Sequence, residues 1–184
     1  MSENSAVKDT YLEGRRAEAR ARRENSAPAW LEFAGFKAAK GSYALAAMGY
    51  LNAGAALEAA GAHAADAYRQ GFEVCVKGAL KEPALFLAAR LAGLLERCGD
   101  AAGAAAVYER LADFCESLEA FFLAADAGEH AAELLRMAGK DIRAYRRPAG
   151  LWLRNAAYWA ENKNAGDEAW SRRRAELYLE AILK

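Results

Sequence analysis

Residues able to do chemistry are few in this 184-residue chain: two histidines, His63 and His130, three cysteines, Cys75, Cys98 and Cys115, and few serines or threonines beyond the first ten positions. A carboxylate-bridged metal site in a helical bundle needs Glu-x-x-His twice, projecting inward from facing helices. Here Glu129 and His130 are adjacent and would point to different helix faces, while the residue three before His63 is Ala60. The histidines therefore read as interhelix or surface residues at turns, and no metal or other cofactor is expected. The cysteines are widely separated with no C-x-x-C, so they read as small, mostly buried thiols of a reducing, cytoplasmic compartment. Phosphate cradles and nucleophile elbows have no matching glycine motif. No catalytic residue is singled out, and a non-catalytic protein is expected.

The elements available to position anything are helices. Alanine fills 48 positions, about a quarter of the chain, whereas Val, Ile and Thr together fill seven. Strands lack the β-branched residues they favour, which excludes sandwiches, barrels and doubly wound sheets. Lys and Arg number 25 against 25 Asp and Glu. That zero balance argues against a generic nucleic-acid binder. The longest uncharged run, Gly41 to Leu57, is shorter than the ~20 residues of a membrane span and rich in Ala and Gly, so it reads as a buried helix.

Residues 1–26 read as a disordered or solvated charged extension: the first fourteen lack an apolar pattern, and Glu13 to Glu24 is charged nearly all round. A helical domain is expected over 27–184. Pro28, Pro83 and Pro148 each precede an apolar stretch at helical spacing and mark helix starts. Glycine supplies the stops. Gly99-Asp100 and Gly166-Asp167 each join a residue suited to a left-handed helix terminus with one suited to capping the next helix. Gly61 and Gly128 open similar phrases, Gly-Ala-His-Ala-Ala-Asp and Gly-Glu-His-Ala-Ala-Glu, and suggest duplicated units with a period near 35. One or two helices are expected over about 29–59, and others near 62–78, 83–98, 101–114, 117–127, 129–146 with an interruption around Gly139, 148–162 and 167–183. That makes about eight or nine helices in antiparallel pairs.

Leu91, Ala92, Leu95, Gly99, Ala104 and Tyr108 resemble a tetratricopeptide repeat, a helical pair with small residues at its close approach and larger ones between pairs. The match is specific over 85–118 only. Tyr50-Leu-Asn-Ala-Gly and Phe122-Leu-Ala-Ala-Asp-Ala-Gly also look like the alanine-rich repeats of soluble NSF-attachment proteins. The resemblance implies an all-α superhelix and binding of another protein or peptide in a concave groove. Its groove positions fall on Met48, Asn52 and Glu58, then Phe86, Arg90, Gly93 and Arg97, then Glu119 and Phe122. Arg90 and Arg97, two turns apart, would reach acidic groups of a bound segment; the competing reading pairs them with neighbours such as Glu96 or Asp100.

Two alternatives stand beside that groove. Trp152, Tyr158, Trp159 and Trp170 either fill the core between the last two helices or form an exposed aromatic patch, at which a homodimer or another partner would assemble. An alanine-rich bundle could also leave room for an apolar small molecule.

Overall fold

The computed structural model describes residues 3–139 and 142–183. Among these the chain is all-α: nine α-helices and one 3-10 turn, with no strand. It divides into two compact units, 1–90 and 91–184. The first holds α1 (Glu3–Glu24), α2 (Ala27–Ala39), α3 (Tyr43–Ala59), α4 (Ala65–Lys77) and the N-terminal part of α5 (Lys81–Arg97). The second holds the rest of α5, α6 (Ala101–Ser117), α7 (Phe121–Met137), the 3-10 turn Ile142–Tyr145, α8 (Arg146–Glu161) and α9 (Ala165–Ile182). Within each unit successive helices pack on one another, as connections of a few residues require.

One turn is used again and again. The N–H of Ser42 bonds to the carbonyl of Lys37, Ala62 to Leu57, Leu80 to Cys75, Asp100 to Leu95, Ala120 to Cys115 and Asn164 to Trp159, all at 2.8–2.9 Å. This six-to-one bond closes a Schellman terminus, with a left-handed residue just before the donor. Gly41, Gly61, Gly99 and Gly139 take that conformation at φ +67° to +79°, and so do Ala79, Glu119 and Lys163 at +52° to +56°. From Gly41 to Gly139 these positions recur every 18–20 residues. A helical pair thus spans about 40 residues, longer than the expected period near 35 and the roughly 34 of a tetratricopeptide pair.

Two expected turns are therefore corrected. Gly128 lies inside α7, which runs unbroken from Phe121 to Met137 instead of ending at 127. A Cβ there would stand 3.1 Å from Leu151 Cδ1, so this glycine serves the approach of α8. The likeness between the phrases at Gly61 and Gly128 is consequently no structural repeat, since one opens a turn and the other fills a helix. Gly166 lies in the first turn of α9, behind the left-handed Lys163 and the capping Asn164, whose side chain accepts from Asp167 N. At Gly99-Asp100 the expected turn is present, and Asp100 caps α6 by accepting from Gly103 N at 2.8 Å.

The proline starts hold: Pro28, Pro83 and Pro148 lie within the first three residues of α2, α5 and α8. Of the opening stretch read as disordered, Met1 and Ser2 lie outside the described residues, and α1 begins at Glu3. Its charged second half is tied down, because Gly14 and Ala21 are buried and Ala17 and Ala21 join Ala29, Trp30, Phe33, Ala53 and Ala67 in the core of the first unit. The break expected near Gly139 is present, with Lys140 and Asp141 outside the described residues.

Small residues set the spacing in the first unit. A Cβ on Gly49 would meet Ala34 Cα at 3.1 Å, and one on Gly54 would meet the Tyr68 ring at 2.3 Å, so α3 approaches both α2 and α4 closely. The uncharged run 41–57 is mostly this α3, a packed helix, and no described helix is long and apolar enough to cross a membrane. In the second unit Ala92, Ala104, Ala105 and Leu134 form a core against which Leu95 and Tyr108 pack.

Candidate functional site

Between α3 and the first turns of α5 lies a cleft of about 240 Å³, lined by Ala44, Ala47, Met48, Leu51, Pro83, Phe86 and Leu87. Its making follows from the sequence. Alanines on α3 leave space where longer side chains would fill it, and Pro83 fixes the start of α5 without needing a backbone donor. Gly71 of α4 sits where a Cβ would be 3.0 Å from both Leu87 and Tyr50, which keeps α3 and α5 close behind the cleft. Phe86 stands on its lip, 51 % exposed.

A polar rim adjoins the lip. The Arg90 guanidinium lies 5.7 Å from the centre of the Phe86 ring, and its Nη1 is 3.6 Å from Glu58 Oε2. Glu58 also accepts the Tyr68 hydroxyl at 2.6 Å. Thus Arg90 pairs with a neighbour, Glu58 on α3, rather than with Glu96 or Asp100. Of the groove residues expected in this unit, Met48 and Phe86 meet in the cleft, Glu58 and Arg90 meet beside it, and Asn52 is half-buried one turn beyond Met48.

In the second unit Gly93 is half-buried and Arg97 exposed on α5, while Glu119 is exposed in the left-handed turn before α7. Glu119 shares a shallow cleft of about 380 Å³ with Phe121, Arg154, Ala157, Tyr158, Glu161 and Asn162. Phe122 lies against Trp152 at 5.4 Å, edge to face, and against Trp170 at 6.0 Å, stacked. The expected groove and the expected aromatic patch therefore share residues. Trp152 itself is 1 % exposed and fills the core between α7, α8 and α9. Trp159 is half-buried beside Tyr158, and Tyr158 and Trp170 are exposed.

Behind this surface is a polar cluster the sequence reading missed. Glu129, buried on α7, accepts the Trp152 indole N–H and a two-pronged contact from Arg174, one prong being Nε to Oε1 at 3.1 Å. The Arg174 guanidinium lies 5.7–5.9 Å from the ring centres of Trp152, Trp170 and Tyr178. Burial, reinforced by the charge of Glu129, pushes the Tyr178 hydroxyl far above its usual range. Nearby, the hydrogen bond from the Tyr145 hydroxyl at 2.7 Å holds the Glu133 carboxyl below the ordinary carboxylate range. These contacts join α7, α8 and α9, and among the described residues no buried side-chain nitrogen or oxygen is left without a hydrogen-bond partner. A charge at Glu129 among Ala124, Ala125, Ala127, Ala131 and Ala132 was the available signal, since it falls on an apolar helix face.

Among the described residues no group of three or more His, Cys, Asp or Glu is placed to hold a metal. His63 is exposed before α4, and His130 stacks on Tyr108 at 5.0 Å with Asp126 3.9 Å away. Cys75 and Cys115 are buried and Cys98 is exposed. Burial pushes the Cys75 thiol up to about 12, which removes it as a nucleophile at neutral pH. No protein family matches the chain, and no curated protein is similar to it.

Proposed function

We propose that this chain is a non-catalytic interaction scaffold of tetratricopeptide-like helical pairs, which takes a bulky apolar side chain of a partner peptide or helix into the α3–α5 cleft. The observation that carries the reading is the cleft itself, lined by apolar residues and open beside Phe86. Its volume of about 240 Å³ lies below the roughly 300–1,000 Å³ of sites that enclose a separate small molecule, and suits one anchoring side chain. Met48 supports adaptable packing, because an unbranched thioether reshapes to its occupant. Arg90, held over Phe86, gives the rim a cation for an acidic flank of the bound segment. A reducing, cytoplasm-like compartment suits the exposed thiol of Cys98.

The test is a capture from lysate in which retained proteins and extracted small molecules are both identified, run beside Phe86→Ala. The expected result is a protein retained by the wild type and reduced about tenfold by Phe86→Ala, with little change in melting because that ring is half in solvent. A stoichiometric metabolite without a protein would overturn the reading, as would a partner indifferent to the substitution.

A further inference from the structure

The outer face of α9 carries a pattern that matches itself when reversed. Ser171 and Ala175 are buried and turn one side of the helix inward. Gly166, Arg173, Leu177 and Glu180 are exposed away from that side, Trp170 is exposed at its border with the core, and Lys163 is exposed in the left-handed turn before the helix. The five helical residues are separated by alternate steps of four and three, so they form one stripe along α9, and Lys163 precedes it in the turn.

Placed antiparallel against a second copy about a two-fold axis between Ser171 and Arg172, every member of the stripe faces a suited partner. Lys163 meets Glu180, giving an ion pair at each end. Gly166 meets Leu177, and the space over Gly166 is open, its would-be Cβ touching nothing nearer than Asn164 Oδ1 at 3.7 Å. Trp170 meets Arg173, a cation against an aromatic ring on both sides of the axis. Alternation of the two kinds of stripe position is the layer geometry of antiparallel helix pairs, and a two-fold axis makes each contact occur twice. Asp167 and Glu176 lie on opposite flanks of the stripe, so this acidic pair is not set face to face.

We propose that two copies of this chain associate through α9 in this antiparallel register. Trp170 is the anchor. Its ring is fixed by Phe122, by Trp152 at 4.9 Å and by Arg174, yet 47 % of the residue stays exposed, as does 45 % of Leu177. A held aromatic loses little freedom on docking, which is what an interface centre needs. Arg173 now pairs with Glu176 at 3.3 Å within its own helix, an exposed contact weak enough to rearrange. One helix face from each copy buries less than the ~1,200 Å² of a stable interface, so the association is concentration-dependent.

Sedimentation equilibrium of the full chain, from micromolar to about 1 mM, reads this directly. The wild type is expected to move from monomer to dimer across the range, and Leu177→Glu to remain monomeric with its melting curve unchanged. Lys163→Glu and Glu180→Lys are each expected to weaken association about tenfold, because each places like charges together at both ends of the helix pair. Combining them restores the ion pairs with reversed polarity and brings the affinity back to within about threefold of wild type. A wild type monomeric throughout overturns the proposal. So does a dimer that survives Leu177→Glu, or a double variant no better than the worse single one.

Discussion

The α3 seam of the first unit and the Glu129 seam of the second are packed in different ways. In the first, helices come together because side chains are missing: Gly49 and Gly54 on α3 let the helix meet Ala34 and Tyr68 with no room for a Cβ. In the second, α7, α8 and α9 are joined by large side chains and charge, with Glu129, Trp152, Arg174 and Tyr178 locked around one buried carboxylate. Glycine in the α3 seam lets a ring or an alanine come close, and on the same helix the neighbouring Ala44 and Ala47 line a cleft. The aromatic and ionic seam fills its volume and presents the rims of Trp170, Phe122 and Tyr158 to solvent. Openness to a partner's side chain thus follows from the small residues, and rigidity of a presented surface from the large ones.

Breaking the second seam is expected to have the largest effect. Glu129→Ala removes the acceptor of both Trp152 and Arg174 and leaves a half-buried guanidinium without its carboxylate, a loss of about 3 kcal/mol measurable by urea unfolding. The matching insult to the first seam is Gly54→Ala, whose methyl would fall 2.3 Å from Tyr68 Cε1 and displace a ring that also bonds Glu58. Its expected cost is about 2 kcal/mol, similar to Ala104→Leu in the Ala92–Ala104 core of the second unit. Alkali sharpens the contrast. The Tyr178 hydroxyl, with Tyr145 and Tyr108, is held neutral above the ordinary tyrosine range, chiefly by burial. Below about pH 10 both folded and unfolded chains keep these protons, and above it the unfolded chain releases them first, so stability falls as pH rises. Melting followed from pH 8 upward should show that fall, and Tyr178→Phe should reduce it.

What could be read in advance, and what could not, divides along the range of the interactions. Proline starts and the Gly99-Asp100 turn are local, each fixed by one residue's backbone preference, and they stand where the sequence puts them. Ala79, Glu119 and Lys163 gave no warning, because a left-handed φ on a residue with a Cβ is tolerated once the Schellman bond and the packing around it hold the turn. Gly128 misled for the reverse reason: a glycine wanted for closeness to α8 looks in sequence like one wanted for a turn. Glu129 and Arg174 are 45 residues apart, and no local pattern joins them. The cleft was half legible, since Met48 and Phe86 were expected on one surface while the alanines that hollow it looked like core.

The smallest effects concern single turns and thiols. Ala79→Gly relieves a left-handed backbone and should raise stability by about 1 kcal/mol, readable as a higher urea midpoint. In the folded protein iodoacetamide should label Cys98 and spare Cys75, as mass spectrometry of the peptides will report.

The claim that the α3–α5 cleft receives a partner meets its most direct test in site-specific photocrosslinking. A benzophenone amino acid is placed at Phe86, on the cleft lip, and in a separate variant at Tyr158, on the aromatic surface of the other unit. The prediction is one protein crosslinked through position 86, competed away by that protein added unlabelled, and absent at position 158. Crosslinking of the same protein through position 158 alone would contradict it.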